Sequence, residues 1–151
     1  LRTLYEIAPS KDQLILMTMD NILRKLGKHA IDSVNEISSP IEKLEKYLFI
    51  VNQAVGPKFD RFMKNVEKIE GSKKMTDFHE NFISEYTEKL LNEAIDMKEI
   101  REIDTKAFSI LFSSIGREFL SEKNRKLISS SPDESANSLT SIILNGIKFK
   151  N

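Results

Sequence analysis

The spacing of apolar residues along the chain predicts helices almost throughout. Apolar positions recur at intervals of three and four residues, as in Ile15, Met19, Ile22 and Leu26, which is the period of one face of an α-helix. The alternation of apolar and polar residues that is typical of strands is scarce. The pattern therefore predicts an all-α fold, a bundle of about six helices.

Residues that favour helix starts divide this pattern into elements. Ser10 suits the N-cap of a first long helix that reaches about Glu36, because its side-chain oxygen can accept a hydrogen bond from a free N–H group. Ser39 and Pro40 predict the start of the second helix, and Asp104 that of the fifth. The other predicted boundaries are a third helix closed by Gly71, a fourth from about Met75 to Asp96, loops at 97–103 and 121–131, and a sixth helix after Pro132.

Composition narrows the classes of function. The 151 residues are 40% hydrophobic, enough for one substantial core. Basic and acidic residues each number 23, and a net charge of zero argues against a strong nucleic-acid-binding surface on these residues. The absence of cysteine excludes disulfides and thiolate sites. No apolar run approaches the roughly 20 residues of a membrane span, so we expect a cytoplasmic protein without a membrane partner.

One short motif is specific to a family. Residues 3–14 read TLYEIAPSKDQL, and this segment resembles the junction between the recognition helix and the linking helix in TetR-family transcriptional regulators. The family pattern is Leu-Tyr, two residues, an aromatic residue, then Pro-Ser-Lys-Asp/Glu-x-Leu. The chain departs from it at Ala8, where an aromatic residue is usual, and at Glu6, where a basic or polar residue is common. The matching residues are Tyr5, Pro9, Ser10, Lys11, Asp12 and Leu14.

This resemblance implies a domain organisation and a function. Residues 1–9 would be the tail of a DNA-binding helix-turn-helix domain whose first helices lie upstream, and residues 10–151 the ligand-binding and dimerisation domain. The protein would be a homodimeric repressor whose hold on operator DNA responds to a small apolar or amphipathic effector. Tyr5 and Lys11 would contact DNA phosphates; the other interpretation is a packing tyrosine and a solvated lysine.

The resemblance also implies an effector pocket among the first four helices. This part of the chain holds its richest concentration of aromatic residues, which suits an apolar ligand. The same residues could instead be plain core. The predicted pocket residues are Met17, Met19, Phe49, Asn52, Phe59, Phe62, Met63, Phe78, His79, Phe82 and Tyr86.

In the family the last two helices pack against a two-fold mate as a four-helix bundle. Here both helices carry apolar stripes together with small residues that permit close approach. The alternative is that these stripes only close the core of the single chain. The predicted dimer interface is Phe108, Phe112, Ile115, Phe119, Leu139, Ile143 and Gly146.

Other chemistry finds little support in the sequence. His29 and His79, the two histidines, fall on different predicted helices without the spacing of a metal motif. We find no phosphate-binding glycine loop and no nucleophile–base pair, so we expect neither an enzyme nor a metal or cofactor. The competing interpretation is a helical protein–protein interaction module with no small-molecule effector, which the sequence upstream of Leu1 would distinguish.

Overall fold

The computed structural model describes residues 10–149, apart from the side chain of Asp60. Over that range the secondary structure is helical and contains no strand; Ile100 and Lys148 form an isolated antiparallel bridge. The prediction of an all-α fold is confirmed. None of the described helices is long and apolar enough to cross a membrane. The elements are α1 (Lys11–Asp32), α2 (Pro40–Val51), a 3-10 turn (Asn52–Val55), α3 (Pro57–Val66), α4 (Ser72–Asp96), α5 (Thr105–Leu120), α6 (Glu122–Arg125) and α7 (Pro132–Ile147).

Three helix starts lie where the sequence predicts them. Ser10, Ser39 and Asp104 accept hydrogen bonds from backbone N–H groups three residues further on, at 3.1, 3.2 and 3.0 Å. Pro40 occupies the first turn of α2, where its missing N–H group costs nothing. These predictions are confirmed because capping depends only on residues within one turn of each other.

Three predicted boundaries and one predicted loop differ from the structure. α1 ends at Asp32 rather than Glu36, and α3 ends at Val66 rather than at Gly71. α4 begins at Ser72 rather than Met75, directly after Gly71, whose φ of 89° is left-handed. The prediction of an uninterrupted loop at 121–131 is wrong, because the segment contains α6. Ser121 starts this short helix by accepting a hydrogen bond from the Asn124 N–H group at 3.3 Å.

The core lies where α2, α4, α5 and α7 meet. The second half of α4 contributes Leu90, Leu91 and Ala94 to it, and α2 contributes Leu44 and Leu48. Each large apolar side chain buried in this way stabilises the fold by about 1.5–3 kcal/mol. The core also includes Tyr47, Ile50, Val51, Phe112, Leu144 and Ile147.

Small side chains bring α4 and α5 close together. The hydroxyl oxygens of Ser84 and Ser109 are 3.1 Å apart, and both residues are buried. Each satisfies the other's polar group, so neither leaves an unpaired hydroxyl between the helices. This contact fixes the spacing of α4 and α5 along the half of the bundle that is solidly packed.

The loop between α4 and α5 ties this packed end together. The Glu99 carboxylate accepts hydrogen bonds from the Ser39 hydroxyl at 3.0 Å and from the Ile41 N–H group at 2.9 Å. Arg101 donates to the Gly146 carbonyl at 2.7 Å. One loop therefore holds the beginning of α2 and the end of α7.

The substitution Glu99→Ala should lower the free energy of unfolding by about 1–2 kcal/mol, because the start of α2 loses a charged acceptor. Urea denaturation followed by circular dichroism measures this change. Glu102→Ala is the matched control, since Glu102 is exposed in the same loop and should change stability by less than about 0.5 kcal/mol. Equal effects of the two substitutions would contradict the stabilisation of the start of α2 by Glu99.

Candidate ligand cavity

A cavity of about 260 Å³ lies at the opposite end of α4 from the packed core. This volume lies just below the range of about 300–1,000 Å³ for small-molecule sites in proteins. Its walls come from α1, the end of α2, the 3-10 turn, α3, the first half of α4 and the second half of α5. The apolar lining is Leu23, Val51, Ala54, Val55, Met63, Ile83, Phe112 and Leu120, and the uncharged polar lining is Asn52, Ser72, Thr76 and Ser113.

One face of α4 forms a continuous wall of the cavity. Thr76, His79, Glu80 and Ile83 all line it, and their spacing of three, one and three residues places them on the same side of a helix. The same stripe continues into the core through buried Thr87. A single helical face therefore serves as cavity wall in its first half and as core in its second.

A glycine allows α5 to approach the 3-10 turn beside the cavity. A Cβ atom at Gly116 would lie 2.8 Å from Cγ1 of Val55, closer than two carbon atoms can approach without displacement. Gly116 and Val55 both line the cavity. The absence of a side chain at Gly116 thus allows α5 to pack directly against the 3-10 turn at this wall of the cavity.

A hydrogen-bonded network joins the cavity to α1. Nε2 of His79 lies 2.8 Å from Oδ1 of Asp20, and Nε of Arg24 donates to Oδ2 of the same carboxylate at 2.7 Å. Burial acts to raise the pKa of Asp20, but the hydrogen bonds from Arg24 and His79 outweigh it and lower that pKa below its ordinary value. His79 therefore connects the cavity wall directly to the middle of α1.

Aromatic packing holds the same network in place. The Phe78 ring meets the His79 ring edge to face, with centroids 5.4 Å apart. The guanidinium carbon of Arg24 lies 4.8 Å from the centroid of the Phe78 ring, within the range of a cation–π contact. Phe78 thus orients both partners of Asp20 from outside the cavity.

A second charged cluster lies between α4 and α5. Arg117 contacts Oε2 of Glu80 at 3.3 Å and Oδ1 of Asp77 at 3.7 Å, and Lys73 contacts Asp77 at 2.6 Å. Burial raises the pKa of Glu80 above its ordinary value, although Arg117 acts in the opposite direction. The Glu80 side chain is 18% exposed and that of Arg117 is 50% exposed, so the acid is the more deeply buried partner.

The structure brings three of the predicted pocket residues to the cavity, namely Asn52, Met63 and His79. Asn52 is buried there, and its amide donates to Oδ1 of Asn137 on α7 at 2.9 Å. The amide is therefore already paired. Asn52 joins the cavity wall to the last helix.

The other predicted pocket residues lie elsewhere. Tyr86 packs against Tyr47, with ring centroids 4.6 Å apart, and Phe59 is half-buried on α3. Met19 is buried beside Phe62 in a separate, smaller cleft between α1 and α3. Most of the predicted aromatic residues are instead on the surface: exposed members of the set are Met17, Phe49, Phe62, Phe78 and Phe82.

Thr76, Glu80 and Arg117 line the cavity but were not predicted from the sequence. For Thr76 and Glu80 a signal exists, because they share the helical stripe of His79, Ile83 and the core residues of α4. That signal was hidden by the aromatic residues at neighbouring positions. For Arg117 no local signal exists, since its contact with Glu80 joins two separate helices.

The predicted dimer residues divide between the inside and the surface of the chain. Phe112 and Ile115 are buried in this chain, whereas Leu139 and Gly146 are exposed. Phe108, Phe119 and Ile143 are half-buried. The exposed apolar side chains on α5 and α7 are Ile110, Leu111, Leu139 and Ile142.

The predicted phosphate contacts lie at the edge of the structure. Lys11 is exposed at the first residue of α1, and Tyr5 lies outside the described residues. Among residues 10–149, no group of three or more His, Asp or Glu side chains is arranged to hold a metal ion.

No protein-family model, curated protein or solved structure matches the chain. The resemblance of residues 3–14 to the TetR-family junction therefore stays a prediction. What the structure contributes independently is the cavity and its connection to α1.

The substitution Gly116→Ala should lower the free energy of unfolding by about 1 kcal/mol, because the clash with Val55 exceeds the gain in helix propensity. Gly27→Ala is the matched control: Gly27 also lies within a helix, but nothing lies within 4 Å of the added Cβ atom. The control should raise stability by about 0.5–1 kcal/mol. Thermal or urea denaturation that gives both variants the same sign would contradict the close approach at Gly116.

Proposed function

We propose that this chain is the effector-binding and dimerising part of a TetR-type transcriptional regulator, a repressor whose DNA binding is controlled by a small ligand. The observation that carries the proposal is the contact between His79 and Asp20. A ligand in the cavity would touch His79, and His79 is bonded to α1. In the proposed protein, α1 leads directly into the DNA-binding domain.

The shallow packing of α1 favours its movement. Of its 22 residues only Met19 and Ala30 are fully buried, so a shift of α1 exposes less core surface than a shift of the second half of α4 would. The second half of α4, by contrast, is held in the core. A ligand that binds the two positions of α1 with different affinities would shift the equilibrium between them.

A shift of α1 would act on DNA binding by changing the distance between the two DNA-binding domains of the dimer. Operator half-sites read by helix-turn-helix dimers lie about 34–36 Å apart. A change in the distance between the two DNA-binding domains therefore removes contacts with DNA in both half-sites at once. This mechanism requires a dimer.

Exposed apolar side chains support dimerisation through α5 and α7. Ile110 and Ile142 are 54% and 65% exposed, and Leu111 and Leu139 are also exposed, on two helices that pack against each other. Such residues on adjacent elements are typical of a surface that a partner covers. A second copy of the chain, related by a two-fold axis, is the partner we propose.

The DNA-binding part of the proposal is tested by selection from random duplex DNA. The complete gene product should retain duplexes that carry one palindromic or pseudo-palindromic site. Failure to enrich any sequence would contradict the regulator and favour the competing function, a helical protein–protein interaction module. Exposed Met17, Phe78 and Phe82 on α1 and α4 are the surface that such a module would use.

The dimer is tested by analytical ultracentrifugation of the chain and two variants. The parent should sediment as a dimer, and Ile142→Glu should sediment as a monomer because a charge would be buried in the interface. Leu127→Glu is the matched control, since Leu127 is 76% exposed outside the proposed interface, and it should stay dimeric. A parent that is monomeric at high concentration rules the interface out.

A further inference from the structure

The charges around the cavity differ in depth as well as in sign. Glu80 is the most buried of the four side chains that pair between α4 and α5, at 18% exposure, whereas Lys73 is 84% exposed. Asp77 and Arg117 are intermediate, at 39% and 50%. Among these four side chains, an acid therefore lies deepest and the two cations lie nearest the rim.

This arrangement disfavours an anionic ligand. An anion that binds Arg117 must come close to Glu80 and Asp77, whose oxygens lie 3.3 and 3.7 Å from the same guanidinium group. Lys73 offers no alternative, because it is 2.6 Å from Asp77. Each base thus already has a less exposed carboxylate beside it, and like charges at this distance repel.

The same arrangement of charges favours a cationic ligand. It can take the place of Arg117 beside Glu80, and the half-exposed guanidinium group can turn towards water while Asp77 keeps Lys73 as its partner. The apolar part of the cavity wall includes Ile83, Phe112 and Leu120. They would contact the uncharged part of the same molecule.

We propose that the cavity binds an amphipathic organic cation, an apolar group joined to an ammonium, with Glu80 as its counter-charge and Arg117 as the group it displaces. This inference rests on the proposal that the cavity is the effector site, and it specifies the chemical class of the effector. Burial raises the pKa of Glu80 although Arg117 acts in the opposite direction, so the charge beside this carboxylate offsets its desolvation only in part. A cation bound next to Glu80 inside the cavity would offset more of it.

The test compares three probes that share one alkyl chain: octyltrimethylammonium, octanoate and 1-octanol. Isothermal titration calorimetry of the whole chain should give octyltrimethylammonium an affinity at least about tenfold higher than octanoate, the ratio expected for one charged contact. Glu80→Gln should weaken binding of the cation by about tenfold. Glu85→Gln makes the same change on the exposed side of α4 and should leave the affinity unaltered.

The variant Arg117→Gln tests whether the cationic ligand competes with Arg117 for Glu80. If the cation competes with Arg117 for Glu80, this variant should bind octyltrimethylammonium more tightly than the parent. Weaker binding of the cation to this variant would overturn the proposal, as would octanoate binding as tightly as the cation to the parent. Circular dichroism of each variant confirms that its helices are intact.

The outcomes also separate this inference from the proposed function. Equal affinities for all three probes would overturn the preference for a cation but leave the cavity as a small-molecule site. Binding of none of them would overturn the preference and also remove support for an alkyl-binding effector site. Enrichment of a palindromic DNA site is independent of both results.

Discussion

The packing of the second half of α4 against α2 and α5 is the constraint on which the rest of the structure depends. Leu90, Leu91 and Ala94 are buried in that contact, and the close pair Ser84–Ser109 sets the distance to α5. Because α4 is continuous from Ser72 to Asp96, fixing one half also fixes the direction of the other. The cavity forms beside the first half of α4, where the end of α2 and the second half of α5 line the space without filling it.

The two ends of the molecule are therefore packed to different extents. At the cavity end, the polar pair Asp20–His79 joins α1 to α4, and only Met19 and Ala30 of α1 are fully buried. A polar contact of this kind contributes about 1 kcal/mol, which is small beside the burial of several core side chains. If the cavity is the effector site that we propose, a ligand bound there would act on α1 before it acts on the core.

Features that depend on contacts between residues close in sequence were predicted, and features that depend on contacts between distant helices were not. The caps at Ser10, Ser39 and Asp104 were predicted because each involves residues within one turn. On the inward face of the first half of α4, only His79 was predicted, because the pattern of the aromatic residues Phe78 and Phe82 indicated a different side of the helix. Small and polar residues occupy the inward side of α4. They allow a second helix to pack closely, and this contribution cannot be seen from the sequence of α4 alone.

The cavity itself was predicted only in part, for the same reason. Its general place among the first four helices was expected, but the contribution of α5 was not, since Gly116 and Arg117 act through contacts with distant parts of the chain. The charge of a cavity wall depends on which side chains converge there, and the spacing along one helix does not contain that information. The predicted role of Tyr5 lies outside the described residues.

The most direct test of the account is the distance between α1 and α4 with and without a ligand. The chain has no cysteine, so Lys25→Cys and Asn92→Cys place spin labels on the exposed sides of these helices for pulsed electron paramagnetic resonance. Saturating octyltrimethylammonium should shift the distance distribution, and Asp20→Asn should abolish the shift without abolishing binding. An unchanged distribution in the saturated parent would contradict the claim that the cavity controls α1.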